Sequence, residues 1–162
     1  MNCAQIIIKD FGEGASCIIV DGRGNFEAAV PMREFVNSLP SSFREVFVDL
    51  EKCDGMDSTF MGVLSMLGLK ARKCGAKIAV VNASESNRNL LKGLGVAKLF
   101  QFTENKQNSA GGKELTVQKD MLSTAETVLE AHKTLVEADE TNQEKFKQVI
   151  DFAQNDVDRL KK

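Results

Sequence analysis

Apolar positions follow two regimes along the chain. Up to about residue 103, short runs rich in Ile and Val alternate with stretches where apolar residues recur every three or four positions. Beyond that point only the second pattern remains. Residues 5–9 and 16–21 read as two strands, and Phe11-Gly12-Glu13-Gly14 between them predicts a hairpin turn. Gly22-Arg23-Gly24-Asn25 breaks the second strand. Asn25 is placed to cap a helix running to about Ser38, with Phe26, Val30 and Phe35 among its apolar positions. Val46, Phe47, Val48 and Leu50 predict a buried strand. After a short polar segment, Asp57-Ser58-Thr59 opens a helix with Met61, Leu64, Leu67 and Ala71 on one face. Gly75 ends that helix after Lys70, Arg72 and Lys73, cations that suit the negative pole. A strand over 77–81, a short helix from Ser84 carrying Leu90, Leu91 and Leu94, and a last strand around 98–102 complete the first part. Strands alternating with helices predict an α/β fold with a mostly parallel sheet, and the hairpin adds antiparallel character at one side.

Residues 104–114 are polar and contain Gly, as a linker does. Two amphipathic helices follow, over about 116–138 and 142–161, expected to form a hairpin, with one long bent helix as the alternative. Met121, Ala125, Val128, Leu129, His132, Leu135 and Val136 make one stripe, and Phe146, Val149, Ile150, Ala153, Val157 and Leu160 the other. Thr141-Asn142-Gln143-Glu144 between them has the form of a capping box. Two helices cannot bury both stripes alone. One stripe must therefore pack on the first part, on a second copy to make a homodimer, or on a partner. The organisation expected is a domain over 1–103, a linker over 104–114 and a two-helix extension over 115–162.

Composition narrows the function. The chain has 162 residues and a net charge of -2, which gives nucleic acid and acidic membranes no electrostatic purchase. No apolar run reaches the roughly 20 residues of a membrane span, and no secretory signal is visible, so a cytoplasmic location without membrane insertion is expected. Cys3, Cys17, Cys53 and Cys74 form no CxxC pair, and the only histidine is His132, far along in the tail. Neither a disulfide framework nor a metal site is expected. Cys53 and Cys74 flank the central helix and are the candidates for exposed thiols. Ser58 lacks an SxxK lysine, and no GxxxxGK loop occurs, so a nucleophilic enzyme or a nucleotide-using one is not favoured and no cofactor is expected. Asp57 and Ser58 sit where a helix begins. Such residues are ordinary caps, but a phosphate on Ser58 would also lie on the positive end of that helix.

Asp57-Ser58-Thr59-Phe60-Met61-Gly62, following a strand that ends in Asp49-Leu50, resembles the Asp-Ser-[Ser/Thr]-Gly-Leu-Gly signature of the STAS domain of bacterial anti-sigma factor antagonists. Two further stretches agree: Val80-Val81-Asn82-Ala83-Ser84 leading to Leu90-Leu91-Lys92-Gly93-Leu94-Gly95-Val96, and the Gly22 break before Asn25. The resemblance spans about residues 4–103. It departs at Phe60, where the signature has Gly, and at Asn25, where many members carry an acidic residue nearby. It implies a STAS-like mixed sheet followed here by a C-terminal helical hairpin. It implies a non-enzymatic partner-switching module, phosphorylated on Ser58 and binding through Asp57, Thr59, Phe60, Met61 and Asn25. The implied partner is an anti-sigma factor that is also a serine kinase of the histidine-kinase-like ATPase type, with a phosphatase to reverse the modification. The alternatives are a non-switching STAS scaffold, an accessory subunit of a larger complex such as a lipid transporter, or a small-ligand module. A tail lying over Ser58 would be autoinhibitory.

Overall fold

The computed structural model describes residues 3–104, 112–117 and 120–162. Among the described residues, seven strands form one sheet: β1 (Gln5–Gly12), β2 (Ala15–Gly24), β3 (Glu45–Asp49), β4 (Cys53–Met56), β5 (Lys77–Val81), β6 (Gln101–Thr103) and β7 (Lys113–Glu114). The order is β6-β5-β3-β2-β1-β7, with β4 continuing alongside β2. β2, β3, β5 and β6 are parallel neighbours, β4 pairs parallel with β2, and β1 runs antiparallel to both β2 and β7. The mixed, mostly parallel α/β sheet predicted from the alternation is what forms.

Among the described residues, five α-helices accompany it: α1 (Phe26–Ser38), α2 (Ser58–Cys74), α3 (Glu85–Gly93), α4 (Met121–Ala138) and α5 (Asn142–Leu160). Their starts are locally encoded. Asn25, Asp57 and Ser84 each accept a hydrogen bond from the backbone N–H three residues on. α2 ends at Gly75, whose φ of 71° is a left-handed conformation that costs glycine little. Ile18, Val20, Val46, Val48 and Val80 from the sheet pack against Met32, Val36, Leu64 and Leu67 from α1 and α2. α4 lies across α1 and α2, and α5 packs on α4.

Several expectations are corrected. The polar segment before α2 contains β4, which has no apolar run and is held by pairing Cys53 and Met56 to Gly22 and Gly24. Most of the expected linker, 105–111, lies outside the described residues, but its end, Lys113–Glu114, forms β7 against Ile7 and Ile8. The strand expected over 98–102 is a 3-10 turn, Ala97–Leu99, followed by β6. α4 begins at Met121, not 116, because Asp120 caps it. Thr141 makes no capping bond to α5. Its own backbone is already helical, and its hydroxyl turns back to Asp139 Oδ1 at 2.7 Å. Asp139 is held below its ordinary pKa chiefly by that side-chain bond. Cys53 is buried, with its thiol 3.4 Å from the Gly55 carbonyl, and burial raises its pKa. Cys17, also buried, is raised to about 11, first by desolvation and then by Asp49.

Candidate functional site

Asp57 leaves β4 in extended conformation, its N–H donating to the Gly24 carbonyl at 2.9 Å. Its Oδ1 accepts from the Phe60 N–H at 2.9 Å and so starts α2. Ser58 is therefore the first helical residue, half-buried, beside the unpaired N–H groups and partial positive charge of the helix end. Asn25, capping α1, is half-buried too. The next three residues point elsewhere. Thr59 and Met61 are buried, and Phe60 has no exposed surface. The Phe60 ring lies beneath Gly24, where an added Cβ would sit 2.8 Å from it. Phe60, expected among the partner-binding residues, is a core residue.

α4 covers this surface instead. Ser58 Oγ is 2.8 Å from His132 Nε2, and His132 Nδ1 is 2.7 Å from the Val128 carbonyl oxygen. A carbonyl only accepts, so Nδ1 carries the proton. Nε2 of the neutral ring then accepts from the Ser58 hydroxyl. His132 is 2% exposed and meets Phe146 of α5 edge-on at 4.9 Å between centroids. Burial lowers its pKa, against weaker opposing effects from the Val128 bond and the Asp57 charge, so the ring is neutral at pH 7. One turn along α2, Gly62 touches Ala131, and a Cβ on Gly62 would lie 2.5 Å from the Ala131 carbonyl oxygen. Beside it, Arg33 of α1 grips Glu130 with two bonds of 2.8 Å, which raise the Arg33 pKa. At the far end of α4, buried Asn142 donates to the Leu94 and Leu135 carbonyls. Three successive residues of α4 thus meet Arg33, Gly62 and Ser58.

Nothing local to either residue signals this pairing, because Ser58 and His132 are 74 residues apart. The one available signal was that the only histidine falls on an apolar stripe. A hydroxyl donating to an imidazole is the first half of a general-base pair. Here a backbone carbonyl stands where a carboxylate orients such a ring. A groove of about 640 Å³ lies between α1, α4 and α5 and is not lined by Ser58. Among the described residues, no cluster of three or more His, Cys, Asp or Glu side chains is arranged to hold a metal. No described helix is long and apolar enough to cross a membrane.

No family model and no curated protein matches the sequence. Solved structures do match in shape. The anti-sigma factor antagonist SpoIIAA in its unphosphorylated form aligns at a TM-score of 0.56 and 12% identity, over 63% of this chain and 89% of that one. The phosphorylated form of SpoIIAA, a Bacillus cell fate determinant, aligns at 0.54 and 12%, over 63% and 92%. The chain has the STAS fold. A Thermotoga maritima protein assigned provisionally as an anti-sigma factor antagonist aligns at 0.54 and 15%, over 60% of this chain and 85% of that one. A sulfate transporter family protein from Wolinella succinogenes aligns at 0.51 and 14%, over 59% and 80%. The STAS fold therefore sets Asp57 and Ser58 at the start of α2, and α4 and α5 follow it as a helical pair.

Proposed function

We propose that this protein is a partner-switching regulator of the anti-sigma factor antagonist type, controlled at Ser58. The observation that carries the reading is the position of Ser58 as the first residue of α2, after the Asp57 cap, in a STAS fold. The partner is a protein combining an anti-sigma factor with a serine kinase of the histidine-kinase-like ATPase type. That kinase moves the γ-phosphoryl group of ATP to Ser58 Oγ, with ADP leaving and the hydroxyl proton released. The added charge of about -1.5 to -2 is tolerated on a helix N-terminus but repels an apolar or acidic partner surface. A phosphatase resets the serine. Asp57 and Asn25, both half-buried, are the further partner-binding residues of this reading.

The test is retention of proteins from the source lysate, without ATP, on wild-type protein and on Ser58→Asp, with phosphosite mapping of the protein isolated from its own cells. The reading expects an ATPase-type kinase held by wild type and lost from Ser58→Asp, and phosphate on Ser58. A partner held equally by both would overturn it. A second reading, a non-switching STAS scaffold or accessory subunit such as that of a lipid transporter, draws support from one observation: His132 already occupies the Ser58 hydroxyl. Equal retention by both forms is its expected outcome.

A further inference from the structure

The contacts of α4 spell out what the Ser58 surface recognises. It takes a carboxylate at Arg33, a small residue at Gly62 and a hydrogen-bond acceptor at Ser58, supplied here by Glu130, Ala131 and His132. We infer that this α1–α2 face is a helix-docking surface with an exchangeable occupant. In this structure the occupant is the chain's own α4, and a partner helix presenting the same carboxylate, small residue and acceptor in succession displaces it. The inference deepens the reading of Ser58 as a partner-facing residue and rests on it.

Three features make α4 a replaceable occupant and not a fixed part of the body. First, its specific contacts with the α1–α2 face are one ion pair with a carboxylate that is 42% exposed, one neutral hydrogen bond to a half-buried serine, and a glycine-to-alanine contact, and beyond that face Asn142 adds its bond to the Leu94 carbonyl. Bonds of this kind are individually worth about 1 kcal/mol. Secondly, α4 and α5 share a small apolar cluster of their own, Ala125, Leu129, Ala153 and Val157, separate from the main core. The hairpin keeps that cluster when it leaves. Thirdly, the polar groups left by its departure, the Arg33 guanidinium and the Ser58 hydroxyl, exchange their α4 partners for water, so release leaves neither unpaired. The cost of release falls mainly on Ala131, Leu135 and Phe146, which pack into the main core. A partner helix must replace those contacts, so its apolar side is part of the requirement.

The test uses the full chain and a fluorescent synthetic peptide of residues 120–162 as the competing helix. Two variants loosen the internal α4 while leaving the body surface intact: Ala131→Leu, which collides with Gly62, and Glu130→Arg, which opposes Arg33. Each is expected to bind the peptide at least tenfold more tightly than wild type, whose surface is filled. Arg33→Glu is expected to reject the native peptide and accept a peptide carrying Glu130→Arg. If Ala131→Leu fails to fold, Glu130→Arg, changed at a half-exposed position, carries the comparison. No binding to either folded loosened variant would overturn the inference. So would equal binding by wild type and variants, or a preference that ignores the charge at position 130. None of these readouts involves a kinase or phosphate, so loss of the docking surface leaves the Ser58 switch to its own lysate test.

Discussion

Protonating His132 should undo the contact between α4 and Ser58, and the size of the effect follows from its burial. In the unfolded chain the ring takes up a proton around its ordinary pKa of 6.5. In the folded protein desolvation holds that pKa lower. The unfolded state therefore binds more protons as pH falls below 6.5, and stability is lost over that window. The contribution is complete above pH 6.5 and levels off once pH passes below the folded pKa. Between pH 7 and 5.5, one site that stays neutral in the folded state costs at most about 1.2 kcal/mol. Any protonation of the folded ring reduces this. Because His132 is the only histidine, no other imidazole titrates in this range. Urea unfolding of wild type at pH 7.5, 6.5 and 5.5, beside His132→Gln, measures it. The variant loses stability overall, since it gives up two hydrogen bonds and the Phe146 edge contact, worth about 2–3 kcal/mol together. Its dependence on pH between 7 and 5.5 should be flatter than that of wild type. Identical pH slopes would refute the assignment of a buried neutral imidazole over Ser58.

Gly62→Ala should lower stability by about 2 kcal/mol although Ala favours helices, because the new Cβ meets the Ala131 backbone; faster amide exchange in α4 would locate the damage there. Asn142→Ala leaves the Leu94 and Leu135 carbonyls without their shared donor and should cost about 2–3 kcal/mol in denaturant melts. A double-mutant cycle on Arg33→Ala and Glu130→Ala should return a coupling of only about 0.5–1 kcal/mol, shrinking with added salt, since Glu130 is partly solvated.

The parts of the fold that were legible in the sequence are those decided within a few residues. Asn25, Asp57 and Ser84 cap helices by bonds to backbone three residues away, so their roles show in the local order of side chains. Gly75 does the same at the end of α2. The parts that were not legible depend on partners distant in the chain. β4 exists because β2 offers it a ladder, and Cys53-Asp54-Gly55-Met56 has no alternation to betray it. Thr141 had the spacing of a capping box, yet Asp139, two residues back, holds its hydroxyl. For the site, the position of Ser58 could be read and its cover could not. Nothing near residue 58 says that residue 132 will lie against it.

Phe60 and Gly62 explain why the cover belongs to this chain. In the STAS signature that the segment resembles, positions 60 and 62 are both glycine. Here position 60 carries a ring, and Gly24 leaves the space that lets the ring sink into the core. A residue that would otherwise crowd the approach to Ser58 is thereby removed from the surface. Position 62 remains glycine, but the space it keeps is filled by the Ala131 backbone and methyl group. The room left by one missing side chain thus admits the chain's own helix close enough for the next residue, His132, to reach the serine. Close backbone approach and the hydrogen bond are consequently one feature. A bulkier residue at 62 should break the Ser58–His132 bond without touching either partner. In NMR spectra at pH 7, Gly62→Val should move the His132 ring protons toward the positions of a solvent-exposed imidazole and raise its pKa toward 6.5. A ring signal and titration unchanged from wild type would show that α4 holds His132 in place by other means.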